Sequence, residues 1–519
     1  MNNIKRALIS VWSKDGIVDL AKFLIDNGIE IISTGGTKNE LEKNGIVVTS
    51  VSEITKQSEI MNGRVKTLHP NLFGGILADR SNKRHINDLD LINSSLIDMV
   101  VINLYPFEEE AVNNNLSLEK AIEFIDIGGP SMLRAAAKNF KYVIPLCDSS
   151  QYDGFIENYK ENQGVFSDSE RIDYAIKVFN LTMNYDAMIN NYFNDSNCKD
   201  QNETMPENLL INMTKKETLR YGENPHQKSA YYAAIGDDRI WNQIQGKKLS
   251  YNNYFDMESA INIVYDFKEI CCAIIKHSNP CGFGLGANNV EAYKNAVSTD
   301  PVSYFGGIVA FNNEVDETIA SIMSKVFLEC IIAPSFSKKA LSILNNKSNL
   351  RVVELKKDLL MEKSNKLIIK SVFNGFLYQN KDIIIKDLND FEVVTNRKPT
   401  REELDSIDIG WKIVRYVKSN AIVITNSCKT IGIGAGQMSR IDSVKIAIRK
   451  SQENNLNLNG SIMASDAFFP FSDSLELAAS NGVVGIVQPG GSIKDSEIIE
   501  AANKLNIFML FTNERHFIH

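Results

Sequence analysis

The stretch IEIISTGGTKNEL, residues 29–41, decides how the first half of the chain folds. Ile29 to Thr34 reads as a buried β-strand, Gly35 and Gly36 let the backbone turn, and a new helix follows. Working outward, the same alternation repeats. RALISVW (6–12) reads as a strand and GIVDLAKFLIDNG (16–28) as an amphipathic helix ended by Gly28. DMVVINLYPF (98–107) and YVIPLC (142–147) read as further buried strands. Strands alternating with helices predict a parallel sheet with helices on both faces.

At 519 residues the chain is too long for one ordinary core. A polar stretch without periodicity, NDSNCKDQNETMPEN (194–208), reads as the linker, so domains are expected at 1–198 and 199–519. The second domain is more mixed, with short apolar strands in AIIK (273–276), GGIVAF (306–311), NAIVIT (420–425) and GIVQPG (485–490). The polar stretch 344–366 reads as an insertion or a lobe boundary. Composition is that of a globular protein, 44% hydrophobic and 23% charged. A net charge of -8 argues against a dedicated nucleic-acid binder, so an anionic substrate must be held by local donors. No apolar run reaches the roughly 18 residues of a membrane span, and MNNIKRALISVW lacks a signal-peptide core. Seven scattered cysteines without a C-x-x-C predict free thiols in a reducing cytoplasm and no zinc site.

Several clusters carry chemistry. In STGGT (33–37), helix N-terminal N–H groups beside Ser and Thr hydroxyls suit a phosphate, although an ordinary cap with a Gly turn uses the same letters. NGRVKTLHPNLFGG (62–75) sets Arg64, Lys66, Thr67 and His69 together without an acidic partner, which favours an anion or a developing oxyanion over a solvated loop. FIDIGGPSMLRAAAKN (124–139) places Asp126 before a Gly pair and Lys138 two to three turns into the following helix. That pair suits proton transfer, or a structural ion pair. LRYGENPHQ (219–227) gathers Arg220, Tyr221, Asn224 and His226 in a turn, and KKLSYNNYFD (247–256) is a weaker case of the same kind. CCAIIKHSNPCG (271–282) carries Lys276 and His277 out of the core at a strand end, where open α/β sheets place their chemistry. A satisfied structural pair is the alternative there. SNAIVITNSCKTIGIGAGQMSR (419–440) offers Asn420 and a Gly-rich turn whose G-x-G-x-G spacing is not the dinucleotide one. ASDAFFPFSD (464–473) sets three phenylalanines between two aspartates, as the wall of a flat heterocycle or as core. NERHFIH closes the chain with Arg515 and His516, and of the six histidines all but His85 fall in or beside these clusters.

Taken together, STGGT, GRVKTLHP, NLYPF and IDIGGPSMLRAAAKN resemble the inosine monophosphate (IMP) cyclohydrolase half of the bifunctional purine-biosynthesis family. LRYGENPHQ, KHSNPCG, FGGIVAF, GIGAGQMSR, SDAFFPF, QPGGSIKD and RHFIH look like its formyltransferase half, which acts on 5-aminoimidazole-4-carboxamide ribonucleotide (AICAR). The blocks stand in the family's order and cover nearly the whole chain. The resemblance implies an α/β protein: an N-terminal methylglyoxal-synthase-like parallel sheet, then a C-terminal cytidine-deaminase-like α/β domain of two related lobes, without zinc. It implies formyl transfer from the co-substrate 10-formyltetrahydrofolate to the 5-amino group of AICAR, then dehydrative ring closure of formyl-AICAR to IMP.

Residue by residue, the resemblance makes His277 the base for the attacking amine, Lys276 a proton donor to the folate leaving group and Asn420 the holder of the formyl oxygen. A weak aryl amine needs a base, and a tetrahedral intermediate needs an oxyanion donor. Arg220 and Arg515 look like phosphate ligands, with Tyr221, Asn253, Phe469 and Asp473 as further substrate contacts. Lys66, Tyr105, Asp126 and Lys138 match the cyclohydrolase catalytic set. Ser10, Lys14, Ser33, Thr34, Gly35, Gly36 and Thr37 match its phosphate and ribose site, joined by Arg64, Thr67 and Asn103. SVWSKDG (10–16) departs from the family, with Trp12 and Ser13 where a small residue and Asp are usual; so do Ser335 in APSFSKK and Tyr304 in PVSYFGG. The family is a homodimer whose transferase sites use both chains. A cytoplasmic homodimer with small-molecule substrates, no nucleic-acid or membrane partner and no catalytic metal is therefore expected. The alternative is a non-catalytic phosphate-sensing protein with an inactive transferase-like domain, against which Lys66, Lys138, Lys276 and His277 all count. A nicotinamide dehydrogenase would rest on GIGAG alone.

Overall fold

Along a strand, successive side chains leave for opposite faces, and in the N-terminal half both faces are apolar. In the computed structural model, which describes residues 4–197, 205, 207–234, 239–356 and 367–519, the strands are β1 (Arg6–Ile9), β2 (Glu30–Ser33), β3 (Thr49–Ser50), β4 (Met99–Val101) and β5 (Ile144–Leu146). They form one parallel sheet in the order β3-β2-β1-β4-β5. Ala7, Ile9, Ile31, Met99 and Val101 enter one core with the helices Ile17–Asp26 and Tyr152–Glu161. Leu8, Ile32 and Val100 enter the other, beneath the helices Pro70–Leu77 and Gly128–Lys138. The strand expected over 98–107 stops at Val101, and residues 102–107 leave the sheet as the loop bearing Asn103 and Tyr105. This sheet belongs to a compact unit, Met1–Asn212; Met213–His519 form a second. The expected boundary after residue 198 lies outside the described residues.

The second unit opens with the hairpin β6 (Met213–Thr218) and β7 (Ala230–Ala234). Its first lobe contains β8 (Trp241–Gln245), β9 (Cys271–Lys276), β10 (Asn279–Leu285), β11 (Ile308–Phe311), β12 (Cys330–Ala333) and β13 (Arg351–Leu355) in the order β10-β9-β11-β12-β13-β8. A hairpin, β14 (Leu367–Val372) and β15 (Gly375–Asn380), leads to the second lobe. That lobe has β16 (Glu392–Val393), β17 (Ile422–Thr425), β18 (Thr430–Gly434), β19 (Ser461–Ser465), β20 (Val483–Gln488) and β21 (Phe508–Phe511) in the order β18-β17-β19-β20-β21-β16. Strand for strand the two orders coincide. So do the pairings: antiparallel for the first two, parallel for the next two, antiparallel for the last.

Packing repeats with the topology. Cys271, Ala273 and Ile275 of β9 and Val423 of β17 share one core with the helices Tyr251–Tyr265 and Arg401–Val414. The alternate residues Cys272 and Ile274, or Ile422 and Ile424, serve the outer core of their own lobe. Gly282 and Gly284 in β10 allow close approach to the helix Asn289–Thr299: a Cβ at Gly282 would stand 2.0 Å from the Ala296 carbonyl. Gly432 and Gly434 do the same in β18 against the helix Arg440–Glu453, where a Cβ at Gly434 would stand 1.9 Å from the Ser443 carbonyl. The first two glycines of GIGAG are therefore strand residues that let a helix pack, which removes the dinucleotide reading. The lobes meet along β10 and β18, where Phe283 N–H donates to Thr430 Oγ1 at 2.9 Å and the Thr299 and Thr430 hydroxyls lie 2.8 Å apart.

Candidate functional sites

In the N-terminal unit the candidate residues collect at the carboxyl ends of the parallel strands, where such sheets bind ligands. The β1 loop is tied from both sides. Ser10 N–H donates to the Val101 carbonyl at 2.9 Å. Val11 N–H donates to Thr37 Oγ1 at 3.0 Å, and that hydroxyl donates back to the Val11 carbonyl at 2.9 Å. Asn103 Oδ1 accepts the Trp12 N–H and, at 3.2 Å, the Ser13 N–H, while its Nδ2 donates to the Ser13 carbonyl at 3.0 Å. Ser33 donates to the Ile9 carbonyl at 2.7 Å. The hydroxyls of Ser33 and Thr37 thus shape the loop. The helix Gly35–Lys43 begins at Thr34 without a side-chain cap, and a Cβ at Gly35 or Gly36 would meet nothing within 4 Å, which leaves this N-terminus accessible to an anion.

Lys66 is within electrostatic reach of both Lys14 and Asp126. A Cβ at Gly128 would stand 2.7 Å from Thr67 Oγ1, and one at Gly129 2.3 Å from Asp126 Oδ2, so the Gly pair is what lets these loops approach. Asp126 Oδ1 accepts the Gly129 N–H at 3.0 Å, and Asp126 N–H donates to the Tyr185 hydroxyl at 2.8 Å. Burial pushes the Asp126 carboxyl up, against the Gly129 N–H and the Lys66 charge. Burial and the Asp126 charge raise the Tyr105 phenol, and burial lowers the Lys14 ammonium, with Lys66 adding to that effect and Glu40 opposing it. Lys14, Lys66, Tyr105 and Asp126 are therefore one electrostatic group. Arg64 lies outside it, exposed and paired with Glu123. So does Lys138, exposed at the far end of the helix Gly128–Lys138, about 15 Å along its axis from the Gly pair.

In the second unit the apolar run of β9 ends on Lys276, and residues 277 and 278 alone connect it to β10, since Asn279 pairs with Lys276. His277 has φ 55° and Ser278 φ 60°. A two-residue hairpin turn with both φ positive matches the strand twist but favours Asn and Gly, so His-Ser is held under strain. The holder is Asp256, which the sequence reading passed over. It reaches from the helix Tyr251–Tyr265, and its Oδ1 accepts the Ser278 N–H at 2.6 Å. Burial raises the Asp256 carboxyl, against the Ser278 N–H and the His277 charge. Lys276 Nζ donates to the Phe305 carbonyl at 2.7 Å. A cavity of ≈ 340 Å³ opens at this turn, lined by Lys276, His277 and Asn279 from one lobe and Gln437 and Lys450 from the other. Lys450 pairs with Asp300 at 2.5 Å across the same junction.

Asn420 stands just behind this cavity. Its Nδ2 donates to the Gln437 and Met438 carbonyls at 2.9 and 3.2 Å, and its Oδ1 accepts from Arg440 Nη2 at 2.8 Å. Arg440 is anchored in turn by the fully buried Asp466. The neighbouring Lys418 N–H donates to Asn279 Oδ1 at 3.0 Å, which joins the Asn420 segment to the His277 turn. Other expected residues stand elsewhere. Arg220 lies exposed over the Tyr221 ring, and Arg515 exposed over Phe517. Asn253 Oδ1 accepts the Ser250 N–H at 3.0 Å as part of a helix capping box. Phe469 is fully buried in the outer core of its lobe, and the exposed rings of that motif are Phe468 and Phe471. Asp473 is exposed and accepts the Ser474 N–H at 2.7 Å. Among the described residues no three His, Cys, Asp or Glu side chains are grouped to hold a metal, and no helix is long and apolar enough to cross a membrane.

Charged side chains beside a free helix N-terminus at the carboxyl ends of a parallel sheet, and a cavity holding Lys276, His277 and Lys450 at the junction of a duplicated domain, give the chain two separate candidate sites, as a two-site enzyme would have. The MGS-like domain family matches residues 16–131, and the AICARFT/IMPCHase bienzyme family matches residues 136–450. The bifunctional purine biosynthesis protein PurH of Caldicellulosiruptor saccharolyticus is 49% identical over 99% of this chain and 100% of its own length. That of Bacillus cereus is 46% identical over the same shares. A solved structure, that of ForH, shares 31% identity over 37% of this chain and 98% of its own, with a TM-score of 0.34. The chain belongs to the AICARFT/IMPCHase bienzyme family.

Proposed function

We propose that the two activities of this formyltransferase and IMP cyclohydrolase divide between the two units, with the residues in the following roles. In the C-terminal unit the 5-amino group of AICAR attacks the formyl carbon of 10-formyltetrahydrofolate. His277 takes the proton of the attacking amine, and Lys276 returns one to the departing folate nitrogen. Asn420, held by Arg440, steadies the formyl oxygen as it becomes an oxyanion. Arg220 and Arg515 hold the nucleotide phosphate, with Tyr221, Asn253 and Asp473 as neighbouring contacts; Phe471 is better exposed for stacking than Phe469. In the N-terminal unit the carboxamide nitrogen of formyl-AICAR attacks the formyl carbon and water leaves. Asp126 takes a carboxamide proton while a Tyr105 phenol kept protonated by burial gives one to the formyl oxygen; the resulting hydroxyl leaves as water with the proton returned from Asp126, the formamide N–H proton goes back to Tyr105, and Lys66 balances the charge. The helix starting at Thr34, with Ser10, Lys14, Gly35 and Gly36, takes the phosphate, and Arg64, Thr67 and Asn103 border it.

The observation that carries this reading is the strained His277–Ser278 turn, which delivers Lys276 and His277 into the lobe-junction cavity. A homodimer is part of the proposal. It offers a source for Lys138, which the helix Gly128–Lys138 carries away from its own unit's site, so a second copy would supply it. A cytoplasmic location fits the six unpaired thiols among the described residues. The test is a two-substrate assay on purified protein. AICAR with 10-formyltetrahydrofolate should yield IMP, and formyl-AICAR should yield IMP without folate. Absence of either conversion would overturn the corresponding half.

A further inference from the structure

We infer that Trp12 is the aromatic wall of the cyclohydrolase site, packing on Tyr105 with one side of the indole and receiving the flat base of the nucleotide with the other. The inference rests on the cyclohydrolase reading of the N-terminal unit. The backbone at Trp12 is fixed by the site itself: its N–H is held by Asn103, its carbonyl accepts from Lys14 Nζ at 3.0 Å, and Val11 before it is clasped by Thr37. A loop fixed on both sides gives the indole a set position. The indole centroid lies 4.9 Å from that of Tyr105, at an interplanar angle of 63°, an edge-to-face contact within the favoured range. Yet Trp12 remains 46% exposed. The chain has three tryptophans, and the other two, Trp241 and Trp411, are 8% and 2% exposed in the second unit.

The rest of the group, Lys14, Lys66, Asn103 and Asp126, is charged or polar. It can hold a phosphate and move protons but offers little flat apolar surface to a ring. Trp12 supplies that surface beside the phenol that the reaction uses. The ligand class is therefore an imidazole carboxamide nucleotide or its fused purine product. By packing on Tyr105, Trp12 also acts as a positioning residue for that phenol.

The test uses the full chain and its intrinsic fluorescence. Titration with IMP should change the tryptophan emission saturably, and the change should vanish in Trp12→Phe, which keeps an aromatic wall. Trp12→Ala should raise KM for formyl-AICAR by about three- to tenfold, the range of one aromatic contact, while Trp12→Phe stays near wild type. A merely structural Trp12 would leave emission unchanged on IMP binding and KM unchanged in the alanine variant, and that result overturns the inference. So does an emission change that persists in Trp12→Phe. If wild type neither cyclises formyl-AICAR nor binds IMP by calorimetry, the cyclohydrolase reading falls and takes the inference with it. If wild type does both and only the Trp12 signals fail, that reading stands and the inference alone is lost.

Discussion

The two lobes of the C-terminal unit are built alike but close their central hairpins in opposite ways. In the first, β9 and β10 are joined by His277 and Ser278 alone, both at positive φ, and the turn faces a cavity. In the second, β17 and β18 are joined by four residues, 426–429. There Asn426 Oδ1 accepts the N–H groups of Cys428 and Lys429 at 3.1 and 3.0 Å, and Lys429 Nζ donates to Ser298 at 2.9 Å. The longer turn satisfies its own polar groups without positive φ. The shorter one keeps strain and relies on a carboxylate from another element. Of the two matching hairpins, the one proposed to carry the chemistry is the one that departs from the relaxed solution, as strain concentrated at functional sites would suggest.

That contrast can be broken most directly at the side chains. His277→Ala should lower formyl transfer by roughly a hundredfold or more, the usual contribution of a positioned base. Lys429→Ala, at the matching turn, should stay within about twofold, because a partly exposed hydrogen bond contributes little. Equal losses in steady-state assays of both variants would show that the turns do not differ as described. A smaller effect is expected at the holder. Asp256→Asn keeps the shape but weakens acceptance of the Ser278 N–H, and transfer should fall about tenfold with nucleotide affinity unchanged. Wild-type rates there would detach the turn's geometry from its activity. The smallest effect is on stability. Ser278→Gly relieves one positive φ and should raise the unfolding free energy by about 0.5 kcal/mol, read as a higher urea midpoint, the gain over an L-residue less the added freedom of the unfolded chain. Cys428→Gly in the relaxed turn should lower it. A loss from Ser278→Gly would mean that its hydroxyl, 3.4 Å from Asp256, matters more than the strain.

Much of this was legible in the letters. The strands expected over 29–34 and 273–276 fall on those at Glu30–Ser33 and Cys271–Lys276, with ends off by one or two residues, because an apolar run broken by Gly or Pro has few other solutions. The Lys276–His277 pair stood out because it leaves such a run abruptly. What escaped depends on distance along the chain. Asp256 meets a turn 22 residues downstream from another helix. The two related lobes were expected from the resemblance, and the duplication is seen in strand order and in matched Gly-x-Gly spacings at Gly282/Gly284 and Gly432/Gly434. The glycines of GIGAG suggested a ligand loop because close approach to a phosphate and close approach to a helix demand the same residue. Phe469 and Lys138 were placed by motif, and only packing shows one in the core and the other at the far end of its helix.

The central claim is that each unit conducts its own reaction. It is tested most directly by measuring both half-reactions in the same purified variants, Lys66→Ala and His277→Ala, with folding and oligomeric state checked. The expected result is reciprocal: Lys66→Ala loses cyclisation of formyl-AICAR and keeps formyl transfer, and His277→Ala loses formyl transfer and keeps cyclisation. A correctly folded single variant that loses both half-reactions would contradict it.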